Sequence, residues 1–146
     1  MVFRKLSIFS ILISLFLGLT ASGTERLNIT RSRMEQIGEK IADYQIDHGT
    51  LPPVQSIDEL AAVLEATDPA QLPLRDGWGR KFHFITRRSG SSKNGNTADE
   101  YWLGSTGTSD QFDGFLKYIL KTDTDSENII FHNGSFVNSP LLPTPK

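Results

Sequence analysis

The feature of this chain that most constrains its fold is a stripe of largely apolar side chains at helical spacing, which stops at a strong helix-breaking signal. Its members lie three or four positions apart and so share one face of a helix: Met34, Ile37, Ile41, Tyr44 and His48. Thr30 is a suitable N-cap, and Gly49 can adopt the positive φ of a C′ residue. Pro52 and Pro53 prevent the helix from resuming. The sequence therefore predicts a long helix over 31–48, preceded by a connection at 24–29.

A shorter helix and then two strands are predicted after this break. Ser56 and Glu59 have the spacing of a capping box, which indicates the start of a helix. Large side chains then alternate along residues 81–86 and again along 100–104, as they do in a sheet with two unequal faces. Trp102 is expected to pack against the long helix or a neighbouring subunit. A sugar- or peptide-binding face formed with Trp78 is the alternative.

The C-terminal part contains a predicted hairpin. Asn133-Gly134 is typical of a hairpin turn, here between strands at 128–131 and 135–137. Residues 115–120 fit either a helix or a strand. The order of the elements predicts an α+β fold in which the long N-terminal helix packs on a small antiparallel sheet. The tail, 139–146, holds three prolines and is expected to be loose.

The N-terminus has the three parts of a secretory signal peptide. Arg4 and Lys5 precede an almost wholly apolar run, and small residues follow at Ala21-Ser22-Gly23. The run, residues 6–19, is shorter than the roughly 20 residues that a spanning helix needs. We therefore predict that residues 1–23 are a cleaved signal peptide or, as the alternative, a short membrane anchor, and that residues 24–138 form the folded domain.

The charge of the exported part argues against a nucleic-acid partner. The chain has 15 lysines and arginines and 17 acidic residues, and residues 1–23 hold two of the basic ones. The remainder thus has 13 basic and 17 acidic residues, a net charge of −4, whereas phosphate binding needs a basic surface. Cysteine is absent, so packing without disulfides must stabilise the domain.

No motif in the chain predicts catalysis. The three histidines, His48, His83 and His132, do not have the spacing of metal ligands, and no serine lies in a Gly-x-Ser-x-Gly sequence. His48 fits a helix C-terminus, where a cation is favourable. A Ser-His-Asp triad assembled from distant residues stays open as an alternative. The prediction is a protein that is not an enzyme.

Four short motifs follow one another in an order that is typical of one family. They are Tyr44, Asp47, Gly49 and Pro52 at the helix end, Asp76, Trp78 and Gly79 before the first strand, Tyr101 to Gly104, and finally Asn128 to Phe131 with Asn133-Gly134 and Phe136-Val137. Over residues 30–138 this pattern resembles the globular part of the type II secretion pseudopilins, especially the major pseudopilin G.

The resemblance implies a pilin-like fold and a structural role. It implies a subunit of a bacterial type II secretion or type IV pilus-related machine, whose partners are other secretion-system or pilin-like subunits. Such a protein is exported, and is either periplasmic or anchored in the inner membrane through residues 6–19. The Gly-Phe-x-x-x-Glu processing site of prepilins has no counterpart before Leu6, and residues 1–23 contain no acidic residue. A soluble periplasmic or secreted binding module that reuses the fold is therefore the alternative.

The resemblance also implies a calcium site. The family binds calcium in the loop that reads Leu-Gly-Ala-Asp-Gly, where this chain has Leu103-Gly104-Ser105-Thr106-Gly107, so Thr106 replaces an acidic ligand. Asp110 and Asp113 remain as candidate ligands, with Ser105 and Ser109 as possible further oxygens, because calcium accepts oxygen ligands in irregular geometry. Alternatively, both aspartates are solvated loop residues.

Overall fold

Within its described residues, the chain forms two helices, two strands, a third short helix and two further strands, in that order. The computed structural model describes residues 22–67, 71–88, 98–109, 111–112, 114–120 and 127–139. The elements are α1 (Gly23–His48), α2 (Ile57–Thr67), β1 (His83–Arg87), β2 (Glu100–Ser105), α3 (Leu116–Leu120), β3 (Ile129–His132) and β4 (Ser135–Asn138). This confirms the predicted α+β architecture with a long first helix. It also shows that residues 116–120 are helical.

The four strands form one antiparallel sheet in the order β1-β2-β3-β4. Phe84 of β1 lies opposite Leu103 of β2, which in turn lies opposite Phe131 of β3. Because side chains alternate along a strand, these three residues share one face of the sheet. They belong to the main core together with the buried face of α1, which includes Met34, Ile37 and Ile41. The long helix therefore packs on this face, as the sequence predicted.

Gly38 sets how closely α1 approaches the sheet. A Cβ at this position would lie 2.7 Å from Cε1 of Phe131 and 3.2 Å from the hydroxyl oxygen of Tyr101. No side chain larger than hydrogen fits there without displacement of these rings. The absence of a side chain at Gly38 thus allows two aromatic residues of the sheet to pack directly against the helix backbone.

The second face of the sheet has a smaller core of its own. Trp102 and Ile130 on this face pack with Phe115 and Tyr118 of the segment that contains α3. Trp102 is 6% exposed and stacks on His132 at a ring-centroid distance of 3.9 Å. The expectation that Trp102 faces the long helix or a neighbouring subunit is therefore wrong, because strand alternation directs it away from α1 and into this second core.

The start of α1 also differs from the prediction. The N-cap is Ser22, whose Oγ accepts a hydrogen bond from the amide of Glu25 at 3.2 Å. Thr30 lies inside the helix, where its hydroxyl donates to the carbonyl of Arg26 at 2.8 Å. Serine and threonine are both good caps, and Leu27 extends the buried face by another turn. Residues 24–29 are therefore helical rather than a connection.

The predicted end of α1 and the start of α2 are confirmed in most details. Gly49 has φ of +73°, and its amide donates to the carbonyl of Gln45 at 2.8 Å. The amide of Glu59 donates to Oγ of Ser56 at 3.3 Å, as in a capping box. The Glu59 carboxylate, however, accepts from the amide of Gln55 rather than from that of Ser56.

Candidate functional site

The turn that precedes β1 is organised by the buried carboxylate of Asp76. Its Oδ1 accepts hydrogen bonds from the amides of Trp78 and Arg80, both at 2.9 Å, and the Asp76 amide donates to the carbonyl of Arg80 at 2.8 Å. Aspartate favours such turns because its side chain accepts from amides further along the chain. Gly79 has φ of +81°, which glycine adopts without strain. We call residues 76–80 the Asp76 turn.

The second oxygen of this carboxylate holds the end of β2. Oγ of Ser105 donates to Oδ2 of Asp76 at 2.7 Å, and both residues are 1% exposed. The same Oγ accepts from the amide of Gly107 at 3.1 Å. A buried carboxylate is costly unless several donors satisfy it. The Asp76 carboxylate receives three of the described hydrogen bonds, two from its own turn and one from the residue at which β2 ends.

The loop at the end of β2, residues 105–109, is bound by the guanidinium group of Arg80. Nη1 of Arg80 donates to Oγ1 of Thr106 at 3.0 Å, to the carbonyl of Gly107 at 2.7 Å and to the carbonyl of Ser109. The amide of Ser109 in turn donates to the carbonyl of Thr106 at 3.1 Å. We call these residues the 105–109 loop. The Asp76 turn therefore binds this loop through a carboxylate at one end and a guanidinium at the other.

The same turn docks on α1. The amide of Gly77 donates to Oγ1 of Thr30 at 2.8 Å, and a Cβ at Gly77 would lie 2.1 Å from the carbonyl oxygen of Arg26. Nη1 of Arg33 donates to the carbonyls of Arg75 and Asp76, both at 2.9 Å. Helix, turn and loop are thus one hydrogen-bonded unit, which we call the turn–loop junction.

The two predicted calcium ligands, Asp110 and Asp113, lie outside the described residues. Thr106, which stands where the resemblance places an acidic ligand, is 6% exposed and accepts from Arg80. In the part of the chain that the structure describes, no three histidine or acidic side chains are close enough together to hold a metal ion.

Sequence reasoning missed Arg80 as a site residue, and it did not pair Ser105 with Asp76. Asp76, Trp78 and Gly79 were recognised as a motif, but nothing in the local sequence pairs Arg80 with a loop that lies 26 to 29 positions further along. The signal that was present is the Asp-x-x-x-Arg spacing itself. An aspartate that binds the amide four residues later fixes the backbone position from which that arginine extends.

Each of the three histidines stacks on an aromatic side chain. His48 stacks on Tyr44 at 3.9 Å near the C-terminus of α1, where its Nδ1 is 3.0 Å from the Tyr44 carbonyl oxygen. His83 stacks on Phe112 at 4.0 Å. Partial desolvation lowers the pKa of His83, which keeps an exposed surface, and the nearby charge of Asp76 opposes that shift. Burial also lowers the pKa of His132, with Glu100 raising it and Arg87 lowering it further.

The turn–loop junction fixes the relative positions of main-chain segments. Its polar groups satisfy one another: the hydroxyl of Ser105 donates to the Asp76 carboxylate, which also accepts from two main-chain amides. Among the described helices, none has both the length and the apolar composition that crossing a bilayer requires.

Comparison of the whole chain with protein-family models, curated proteins and solved structures found no significant match.

Proposed function

We propose that this chain is a pilin-like structural subunit of a bacterial type II secretion or type IV pilus-related machine, and that it acts through protein–protein contacts without catalysing a reaction. The observation that carries the proposal is the turn–loop junction. Segments that the family resemblance picked out separately along the sequence, the Asp76 turn and the end of β2, are hydrogen-bonded to each other. Motifs that meet in space in this way are expected when they maintain a common fold.

The chemistry of the junction supports a structural role. A nucleophile or general base must reach a substrate, whereas Asp76 and Ser105 are each 1% exposed and fully engaged with each other. Their partners are main-chain amides and the end of a strand, so their effect is to fix the shape of a surface. A subunit that assembles through its outer surface needs this kind of rigid support for its loops.

Site-specific photo-crosslinking in the native host tests the proposal. A photoreactive residue at Ile46 or Leu116, which are 80% and 65% exposed, should form crosslinks with other secretion-system or pilin-like subunits. The same residue at Ile37, which is fully buried, is the matched control and should not. Recovery of the protein without crosslinks above this control, at both exposed positions and when the machine is active, would contradict the assembly role.

One observation favours the alternative, a soluble periplasmic or secreted binding module. Ser22 has φ of −63° and ψ of 159°, an extended conformation, so α1 begins at Gly23, beside the predicted cleavage site. A folded domain that begins where the predicted cleavage releases it is expected of a free module. Mass determination of the protein from its host separates the two proposals. A mature chain that starts at residues 22–24 supports the free module, and an intact N-terminal segment supports the tethered subunit.

A further inference from the structure

The oxygens that converge on Arg80 are of the kind that usually surround a metal ion. One hydroxyl and two main-chain carbonyl oxygens of the 105–109 loop point at the same nitrogen, Nη1. Main-chain carbonyl oxygens are among the ligands that hard cations such as calcium accept. In this loop, the positive charge that these oxygens contact is the guanidinium group of Arg80, which belongs to the chain itself.

Hydrogen bonds fix the main chain from which the Arg80 guanidinium extends. The main chain of Arg80 is tied to Asp76 in both directions, since its amide donates to the carboxylate and its carbonyl accepts from the Asp76 amide. Asp76 itself is bound to Ser105, the first residue of the same loop. The main-chain position from which the Arg80 side chain extends is therefore fixed relative to the loop.

The far side of the loop is fixed by the chain that leads into β3. Gly107 has φ of +63°, and a Cβ there would lie 2.2 Å from the carbonyl oxygen of Glu127. The hydroxyl of Thr108 donates to the carboxylate of Glu127. The loop is thus enclosed between Arg80 on one side and Glu127 on the other.

We propose that Arg80 is the permanent cation of the 105–109 loop, and that the loop consequently keeps its shape without a bound divalent ion. Arginine suits this role because it stays protonated throughout the physiological pH range and offers several donors in a fixed plane. A divalent ion at the same oxygens would meet repulsion from the guanidinium at short range. The proposal goes beyond the assembly role and does not depend on it, since it concerns what holds the loop rather than what the loop contacts.

Hydrogen exchange at two amides reports directly on the loop. The Gly107 amide donates to Oγ of Ser105 and the Ser109 amide to the carbonyl of Thr106. In the isotopically labelled full chain, both amides should exchange at the same rate in a metal chelator and in millimolar calcium chloride. Slower exchange of either amide in calcium than in chelator would overturn the proposal, because it would show that the loop is completed by a metal, with Asp110 and Asp113 as the expected ligands.

Substitution of Arg80 provides a second test of the proposal. Arg80→Met keeps most of the side-chain length but removes the charge and donors, so exchange at Gly107 and Ser109 should accelerate by roughly tenfold or more, while amides in β3 change little. Arg87→Met is the matched control, because Arg87 lies near Glu100 and has no described contact with the loop. It should leave both loop amides unchanged. Wild-type exchange rates in Arg80→Met would overturn the proposal.

A third variant protects the test against misfolding. If Arg80→Met does not fold, Arg80→Lys retains the charge with fewer donors in a different geometry. Its two loop amides should exchange at rates between those of the wild type and those of an unstructured loop. Rates equal to the wild type would show that the guanidinium geometry is not what holds the loop. The calcium and chelator comparison needs no variant and stands independently of this result.

Discussion

The hydroxyl of Thr30 joins two segments of the chain that are 47 positions apart, because it accepts a hydrogen bond from the amide of Gly77 at 2.8 Å. The same hydroxyl donates to the carbonyl of Arg26 one turn earlier in α1. Thr30 has no exposed surface. One buried oxygen thus acts as donor to the helix and as acceptor for the Asp76 turn, and it fixes the position of that turn on the helix.

Replacement of Thr30 by valine should destabilise the protein. Thr30→Val keeps the shape of the side chain but leaves the Gly77 amide without its acceptor, which we expect to lower the free energy of unfolding by about 1–3 kcal/mol. Urea denaturation followed by tryptophan fluorescence measures this change. Thr30→Ser retains the hydroxyl and loses a methyl group, so it should lie closer to the wild type. A valine variant more stable than the serine variant would contradict the role given to this hydrogen bond.

Addition of a single methyl group at Gly77 should be far more harmful than its size suggests. The Cβ of Gly77→Ala would lie 2.1 Å from the carbonyl oxygen of Arg26, so the turn must move away from α1. We expect a loss of about 3 kcal/mol or more, at the upper end of overpacking effects. Gly23→Ala is the control, since a Cβ there meets nothing within 4 Å and Gly23 begins a helix. Thermal unfolding of the two variants side by side should separate them clearly, and equal midpoints would show that the close approach is not required.

The parts of the fold that were predicted correctly are those that local chemistry determines. Gly49 ends α1 because glycine accepts a positive φ, and Asn133-Gly134 forms the turn between β3 and β4, with φ of +45° and +84°. Alternating side chains placed Tyr101 and Leu103 on one face of β2 and Trp102 on the other, as the two cores show. In each case the decisive atoms lie within a few residues of one another.

The parts that were missed depend on distant contacts. Ser22 and Thr30 are both capable caps, and the choice between them follows from the burial of Leu27 against residues far along the chain. Residues 116–120 carry apolar side chains without a clear helical or strand periodicity. The segment that contains helix α3 packs on the second face of the sheet. The hydrogen bonds between Arg80 and the 105–109 loop join residues that are more than 25 positions apart. No local rule connects such residues.

The hydrogen bond between Asp76 and Ser105 can be measured as a coupling. Asp76→Ala and Ser105→Ala should each be destabilising, because each leaves a buried polar partner unsatisfied. In a double-mutant cycle, the pair should show an interaction energy of about 1–3 kcal/mol. Combination of Asp76→Ala with Arg87→Met serves as a control pair, for which we expect additive effects. Additivity of the Asp76 and Ser105 substitutions would mean that the carboxylate stabilises its own turn without holding the end of β2.

The two histidines on the second face of the sheet should make stability depend on pH between neutral and mildly acidic conditions. Partial desolvation lowers the pKa of His83 and of His132 in the folded protein below the ordinary value of 6.5. Between the folded-state pKa and 6.5, the unfolded chain therefore binds more protons than the folded one, and stability rises with pH. The contribution is fully present above pH 6.5 and is lost as pH falls through this window.

Paired measurements of unfolding at pH 7.5 and pH 5.5 test this expectation. The wild type should be less stable at the lower pH, and replacement of both histidines by glutamine should reduce the difference between the two conditions. His48→Gln is the matched control, because His48 lies at the end of α1 and outside the sheet, so it reports the general effect of replacing a histidine. The pH range stays above the ordinary pKa values of aspartate and glutamate, so that carboxylate titration contributes little. An unchanged pH difference in the double variant would show that burial at His83 and His132 does not determine the acid sensitivity.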